Sequence, residues 1–458
     1  MKYKIKNYQY LIGSSVIRII CVIIATYIFT NYFSIKEFAT YNIILSSGII
    51  ITGLSTSPQY YFLANNQNKK NLLYSTRENN NLIIMIFIIL ILIIYFFKNF
   101  IFPEDTQIFF YVLTAISLSL IIQIVLQNIS RIEQNYNKYF KVSIAERFFL
   151  VMVLLFSFLF NIELKFILVI FTSLCLIFFL IFVIKNKYIK LNINIFKNRS
   201  LFRETSYSFV NNIITISIGL QSLVVISGQL NQYGIANSIS IGILILSMAT
   251  FPLGWIETVL GPIISRIIKT KNKKILNNFI MLNFKNVLFL CFLSTILTIS
   301  LCLIPNLFEL FFPKYIDYKK IIFIFSFLIP VLGSKLYLSW FIVCLKKTKF
   351  IFLSHVILLI FLGLTFYLLD FNLKKFLFYY VLLSITEVLI VYTLFTFFYK
   401  VNNILDIYLI FFLTIINLIA YSFYFDIYNI VILTNLVYLT LYLKKNNLRV
   451  LIIKMLNN

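Results

Sequence analysis

Gln9–Thr30 reads QYLIGSSVIRIICVIIATYIFT. As a helix, this run would be about 33 Å long at 1.5 Å per residue. That matches the hydrocarbon core of a bilayer, about 30 Å thick. Yet Arg18 stands roughly 15 Å along it, near the midplane. A charge at that depth costs several kcal/mol against lipid and points to a wet or paired environment.

The rest of the chain has the same character. Of 458 residues, 61% are hydrophobic and 12% charged, with a mean hydropathy of +0.95. A soluble domain has roughly twice that charge. The composition therefore predicts an integral membrane protein. The five cysteines lie in apolar runs without a CxxC pair and read as small buried hydrophobes rather than metal or redox groups. Lys2, Lys4 and Lys6 before the first run imitate a signal peptide, but many spans follow, so it is expected to remain as an uncleaved first span.

Fourteen runs are long and apolar enough to cross. They are 9–30, 38–63, 82–102, 107–129, 142–160, 166–184, 209–230, 235–264, 287–307, 321–343, 350–369, 376–398, 407–425 and 427–443. In lipid such segments satisfy their backbone only as helices. With the N-terminus inside, the cytoplasmic segments hold 28 of the 40 Lys and Arg, and the outer loops hold 8. This asymmetry predicts cytoplasmic termini at both ends. It also explains most of the formal charge of +25, so no nucleic-acid partner is expected. No loop is long enough to form a domain.

The basic loop after the sixth span divides the leading twelve spans into six and six. The start of span two, EFATYNIILSSG from Glu37, aligns with the start of span eight, QYGIANSISIG from Gln232. At an offset of 195, Phe38 falls on Tyr233, Ala39 on Gly234 and Asn42 on Asn237. Many transporters are built from such internal repeats.

Three stretches carry a family resemblance: SIKEFATY (34–41), its second copy NQYGIANSISIG (231–242), and ETVLGPIISR (257–266). With the Arg-bearing first span, they make the chain resemble the Wzx-type polysaccharide flippases of the MOP superfamily, with Ala39 where that family carries Gly. The resemblance implies two six-helix lobes (1–190 and 206–400), a basic linker (191–205), a central cavity and two extra C-terminal helices (401–458). It implies alternating access without a cofactor. The implied cargo is an undecaprenyl-pyrophosphate-linked oligosaccharide for O-antigen, capsule or other surface polysaccharide. It further implies residence in the bacterial inner membrane, contact with membrane lipids, and polysaccharide polymerase and chain-length proteins as partners.

The deep ionisable residues are the expected sites. Arg18 and Lys335 are candidate cations for the pyrophosphate, and a guanidinium suits phosphate by its fork of donors. Asn42 and Asn237 are candidate sugar contacts. Glu387 reads either as a coupling site for H+ or Na+ or as a structural partner of Arg18 or Lys335. Glu257 and Arg266 are candidate gate residues. His355 reads as a helix-contact residue. Neither a catalytic triad nor a metal-ligand motif is recognisable, and GxxxxGK[ST] is absent from the sequence, so the chain is not expected to be an enzyme. The rival readings are a MATE-type multidrug or cation antiporter, a flippase for the peptidoglycan lipid precursor, and a membrane O-antigen polymerase or glycosyltransferase. The last would need a large outer loop, and Glu104–Asp105 is read as the cap of the following helix.

Overall fold

A computed structural model describes residues 2–65, 69–101, 106–133, 135–160, 162–186, 209–216, 219–250, 305–325, 348–368 and 373–399, with a few positions between 328 and 335. Every described element is a helix. Six long helices come first: α1 (Lys2–Tyr32), α2 (Ile35–Asn65), α3 (Lys69–Ile101), α4 (Thr106–Glu133), α5 (Tyr136–Phe160) and α6 (Leu164–Asn186). They match the first six expected spans and run past several of their ends, because a helix continues into the polar interface where apolarity stops. The polar stretch STSPQ at 55–59 lies inside α2.

Next come α7 (Phe209–Ile216), α8 (Leu220–Gln229) and α9 (Tyr233–Ala249). They are followed by α10 (Pro305–Phe311), a 3-10 turn (Pro313–Tyr318), α11 (Lys319–Ile324), α12 (Thr348–Leu368) and α13 (Leu373–Tyr399). Among the described residues five helices are long and apolar enough to cross a membrane, or six if the bent pair α7–α8 is one span. These features describe a multi-pass membrane protein. The last two expected spans, the linker 191–205 and the segment 401–458 lie outside the described residues, as do Glu104 and Asp105.

The chain forms two compact units. The first holds Met1–Ser240 together with Phe311–Tyr315, and the second holds Ile241–Leu310 and Ile316–Asn458. In the first unit, α1 packs along α5, and α2 packs against α3, α4 and α8. Small residues allow the close approaches. A Cβ on Gly48 of α2 would meet Ile116 of α4 at 3.0 Å, and Thr52 donates to the Ser117 carbonyl at 3.3 Å. The face of α6 bearing Ile177, Ile181 and Ile184 is exposed, as suits a surface covered by acyl chains. In the second unit, α12 packs on α13.

Two turns show how local sequence sets the helix ends. Ser34 and Glu37 form a capping box at the start of α2. The Ser34 N–H donates to Glu37 Oε2 at 2.8 Å, and the Glu37 N–H donates to Ser34 Oγ at 3.2 Å. At the end of α8, Asn231 takes a left-handed conformation (φ 57°). The Gln232 N–H then reaches the Ser227 carbonyl and the Asn231 N–H reaches that of Gly228, both at 2.9 Å, which closes a Schellman turn.

The seventh span was expected to be continuous over 209–230. Instead α7 and α8 meet at 53°. The freed Ile216 carbonyl accepts from the Gly219 N–H at 2.9 Å and from Ser222 Oγ at 2.6 Å. Ile216 also leans on Gly53 of α2, whose carbonyl accepts from Asn212 at 3.2 Å. A bend at this depth is tolerated because neighbouring groups satisfy the released backbone.

Candidate functional site

Among the described residues, three polar groupings bear on the expected site residues. The first lies in the middle of the α1–α5 pair. Tyr32 packs on Phe158, their ring centroids 4.6 Å apart, and Gly13 faces Phe140 at 3.4 Å. The two helices therefore run parallel at offsets of 126 and 127. This register sets Arg18 level with Ile144 and Ala145, beside Glu146 and Arg147. Arg18 is half-buried and about 21 Å below the Tyr32 end of α1.

Arg147 lies seven residues after Phe140 and eleven before Phe158, close to the same stripe of α5. Its guanidinium pairs with Glu146, with Nε 3.5 Å from Oε1 and no hydrogen bond at either atom. Consecutive residues on a helix point about 100° apart, so this pair is necessarily loose. The Tyr41 hydroxyl of α2 is close enough to Arg147 to interact with its charge. Cys21 of α1 and Cys175 of α6 are close enough to interact with its charge. Sequence reading left Glu146 and Arg147 out of the site, although their signal was plain: two adjacent opposite charges within the apolar run 142–160.

The second grouping lies at the end of the first unit where α1 gives way to α2. Asn42 Nδ2 donates to Asn237 Oδ1 at 2.9 Å. Asn237 Nδ2 in turn donates to the Ile35 carbonyl and to the Tyr315 hydroxyl, both at 2.8 Å. Asn42 is 6% exposed and Asn237 is fully buried. The two expected sugar contacts are thus brought together, and each faces protein. Their separation of 195 residues equals the offset that aligns the two repeat stretches. Beside this knot, Phe311 accepts from Thr30 Oγ1 at 2.7 Å, and Lys314 Nζ donates to the carbonyls of Asn31 and Phe33 at 3.0 and 2.7 Å. A lysine at a helix C-terminus complements its dipole.

The third grouping lies in the second unit. Lys335 Nζ donates to Glu387 Oε2 at 2.7 Å. The other carboxylate oxygen of Glu387 stands 3.3 Å from His355 Nε2 and 3.5 Å from Ser354 Oγ. Glu387 and His355 are 2% and 4% exposed at the side chain, and Lys335 is 22% exposed. Of the two partners considered for Glu387, the structure brings Lys335 to it. Glu257 and Arg266 lie outside the described residues. Among the described residues no group of three or more His, Cys, Asp or Glu could hold a metal ion.

No family model and no curated protein matches the sequence. Solved structures do match the fold. The "Lipid II flippase MurJ, inward closed conformation" superposes with a TM-score of 0.61 at 17% identity, covering 95% of this chain and 99% of that one. An inward-facing multidrug resistance MATE family transporter of the MOP superfamily gives 0.55 at 10%, covering 84% and 98%. The MATE multidrug transporter DinF-BH, solved as a complex, gives 0.55 at 15%, covering 84% and 94%. At these identities the likeness establishes the fold alone, one that this chain shares with these flippase and transporter structures.

Proposed function

We propose that this protein is a flippase that moves lipid-linked oligosaccharides carrying a diphosphate, the repeat units of a surface polysaccharide, across the bacterial cytoplasmic membrane by alternating access. The observation that carries this reading is Arg18. A permanent cation stands half-buried within the first span, in a fold shared end to end with a lipid II flippase. A guanidinium can grip a diphosphate through paired N–H donors. Lys335 is paired with Glu387. The Lys335–Glu387–His355 group is then where an H+ or Na+ gradient would act. The basic segments assign the α1–α2 turn to the outer face.

The experiment is deletion of the gene in its host, followed by gels of the surface polysaccharide and extraction of lipid-linked units. The expected result is loss of the polysaccharide with cytoplasmic accumulation of its lipid-linked precursor. Wild type should restore export, Arg18→Lys should restore part of it, and Arg18→Ala should restore none at equal protein level. The second reading, a MATE-type cation exporter, draws on the likeness to the multidrug transporters. It gains if polysaccharide is untouched while cationic dyes accumulate in the deletion strain. Arrested growth with accumulated peptidoglycan precursor would point instead to that lipid as the cargo.

A further inference from the structure

The charged pair of α5 and the Asn knot near the start of α2 are linked by a file of side chains. Arg147 is close enough to Tyr41 to interact with its hydroxyl. The Tyr41 ring stacks on Phe29 at 4.4 Å with an interplanar angle of 21°. Phe29 stacks on Phe38 at 5.3 Å. Phe38 meets Tyr315 edge-on at 6.3 Å, and the Tyr315 hydroxyl takes the hydrogen bond from Asn237. Every ring in the file is at most 5% exposed. Buried rings of this size cannot shift singly, because close-packed interiors leave no room.

The two ends of the file differ in kind. The knot is held by three hydrogen bonds, whereas Glu146 Oε1 and Arg147 Nε are buried without one. Attraction between opposite charges 3.5 Å apart, rather than a hydrogen bond at these atoms, holds Arg147 beside Glu146, and its closeness to Tyr41 ties it to the file. The same pair is level with Arg18, so a change of charge at that level acts on a pair that is itself held by charge.

We propose that the Glu146–Arg147 pair is a charge-sensitive switch that sets the closure of the α2–α9 end through Tyr41 and the stacked rings. Arg147 and Tyr41 act as positioning residues. Altering the pair loosens the Asn42–Asn237–Tyr315 knot, although no atom of the pair touches it. The proposal concerns the coupling inside this chain and does not depend on the identity of the cargo.

Contiguity alone does not demonstrate coupling, so the test measures it directly. Hydrogen exchange by mass spectrometry is followed on the purified full-length protein, in peptides covering 33–42, 231–240 and, as a reference, 164–186. Tyr41→Phe keeps the ring and removes the hydroxyl, so it should fold. It should speed exchange in 231–240 about tenfold and leave 164–186 unchanged. Arg147→Met should do the same, and Tyr41→Phe/Arg147→Met should add nothing further, since both cut one link. Asn237→Ala supplies the rate of an open knot. Three results overturn the proposal: a wild-type rate in 231–240 for Tyr41→Phe, effects that multiply in the double variant, or an equal rise in 164–186. This readout needs no transport, so it can fail while the flippase reading stands, and the reverse also holds.

Discussion

Removing either member of the Lys335–Glu387 pair should destabilise the protein, and removing both should restore it. At 2.7 Å and an effective dielectric of about 20, the gross attraction is about 6 kcal/mol. Desolvation offsets much of it, and deleting one member of a buried pair costs about 3–5 kcal/mol. The two single variants are not equal. Glu387→Met leaves an ammonium whose side chain is 22% exposed and keeps a route to water along its stem, so its cost is about 3 kcal/mol. Lys335→Met leaves a carboxylate that is 2% exposed, with His355 and Ser354 beside it, so its cost is about 5 kcal/mol. Lys335→Met/Glu387→Met replaces two charges with apolar bulk and should fall within about 1 kcal/mol of wild type. The assay is thermal unfolding of the purified protein in detergent, followed by size exclusion after heating. At about 2 °C per kcal/mol for a large domain, the midpoints drop by roughly 6 and 10 °C in the singles and hardly at all in the double. A double variant that loses the sum of the two, or equal losses in the singles, would refute the reasoning from burial.

Asn237→Ala removes three hydrogen bonds and should cost about 2–4 kcal/mol. Asn42→Ala removes one and should cost about 1 kcal/mol, and thermal midpoints in the same assay should rank them in that order. Ser34→Ala and Glu37→Ala each open the reciprocal cap of α2 and should cost about 1 kcal/mol. Their double variant should cost little more than either alone, which a thermal double-mutant cycle will show.

The first six helices could be read from apolar run length because each span is a separate, nearly complete signal. The expected 107–129 became Thr106–Glu133, and the expected 142–160 became Tyr136–Phe160. The bend in the seventh span was hidden. It contains no proline, and the bend is stabilised by Gly53 and Asn212, a contact 159 residues apart in sequence. The ion pairs were legible only as isolated charges. Lys335 and Glu387 are 52 residues apart, and nothing local says which partner each will find. Glu146 and Arg147 stand near the start of the expected run 142–160, whereas the helix begins at Tyr136 and places them near its middle. The offset of 195 was visible in the sequence, but not that the two asparagines it relates would touch.

That contact has a chemical consequence. A position that meets its own counterpart must tolerate itself, as a residue on the two-fold axis of a homodimer must. Aspartate would face aspartate there, and lysine would face lysine. The carboxamide is among the smallest side chains that both donate and accept. It can bond to a copy of itself without carrying charge into the membrane. Asn42 and Asn237 thus use one chemical group for both halves of a bond. After a duplication such a contact works at once, with no second change needed to complete it.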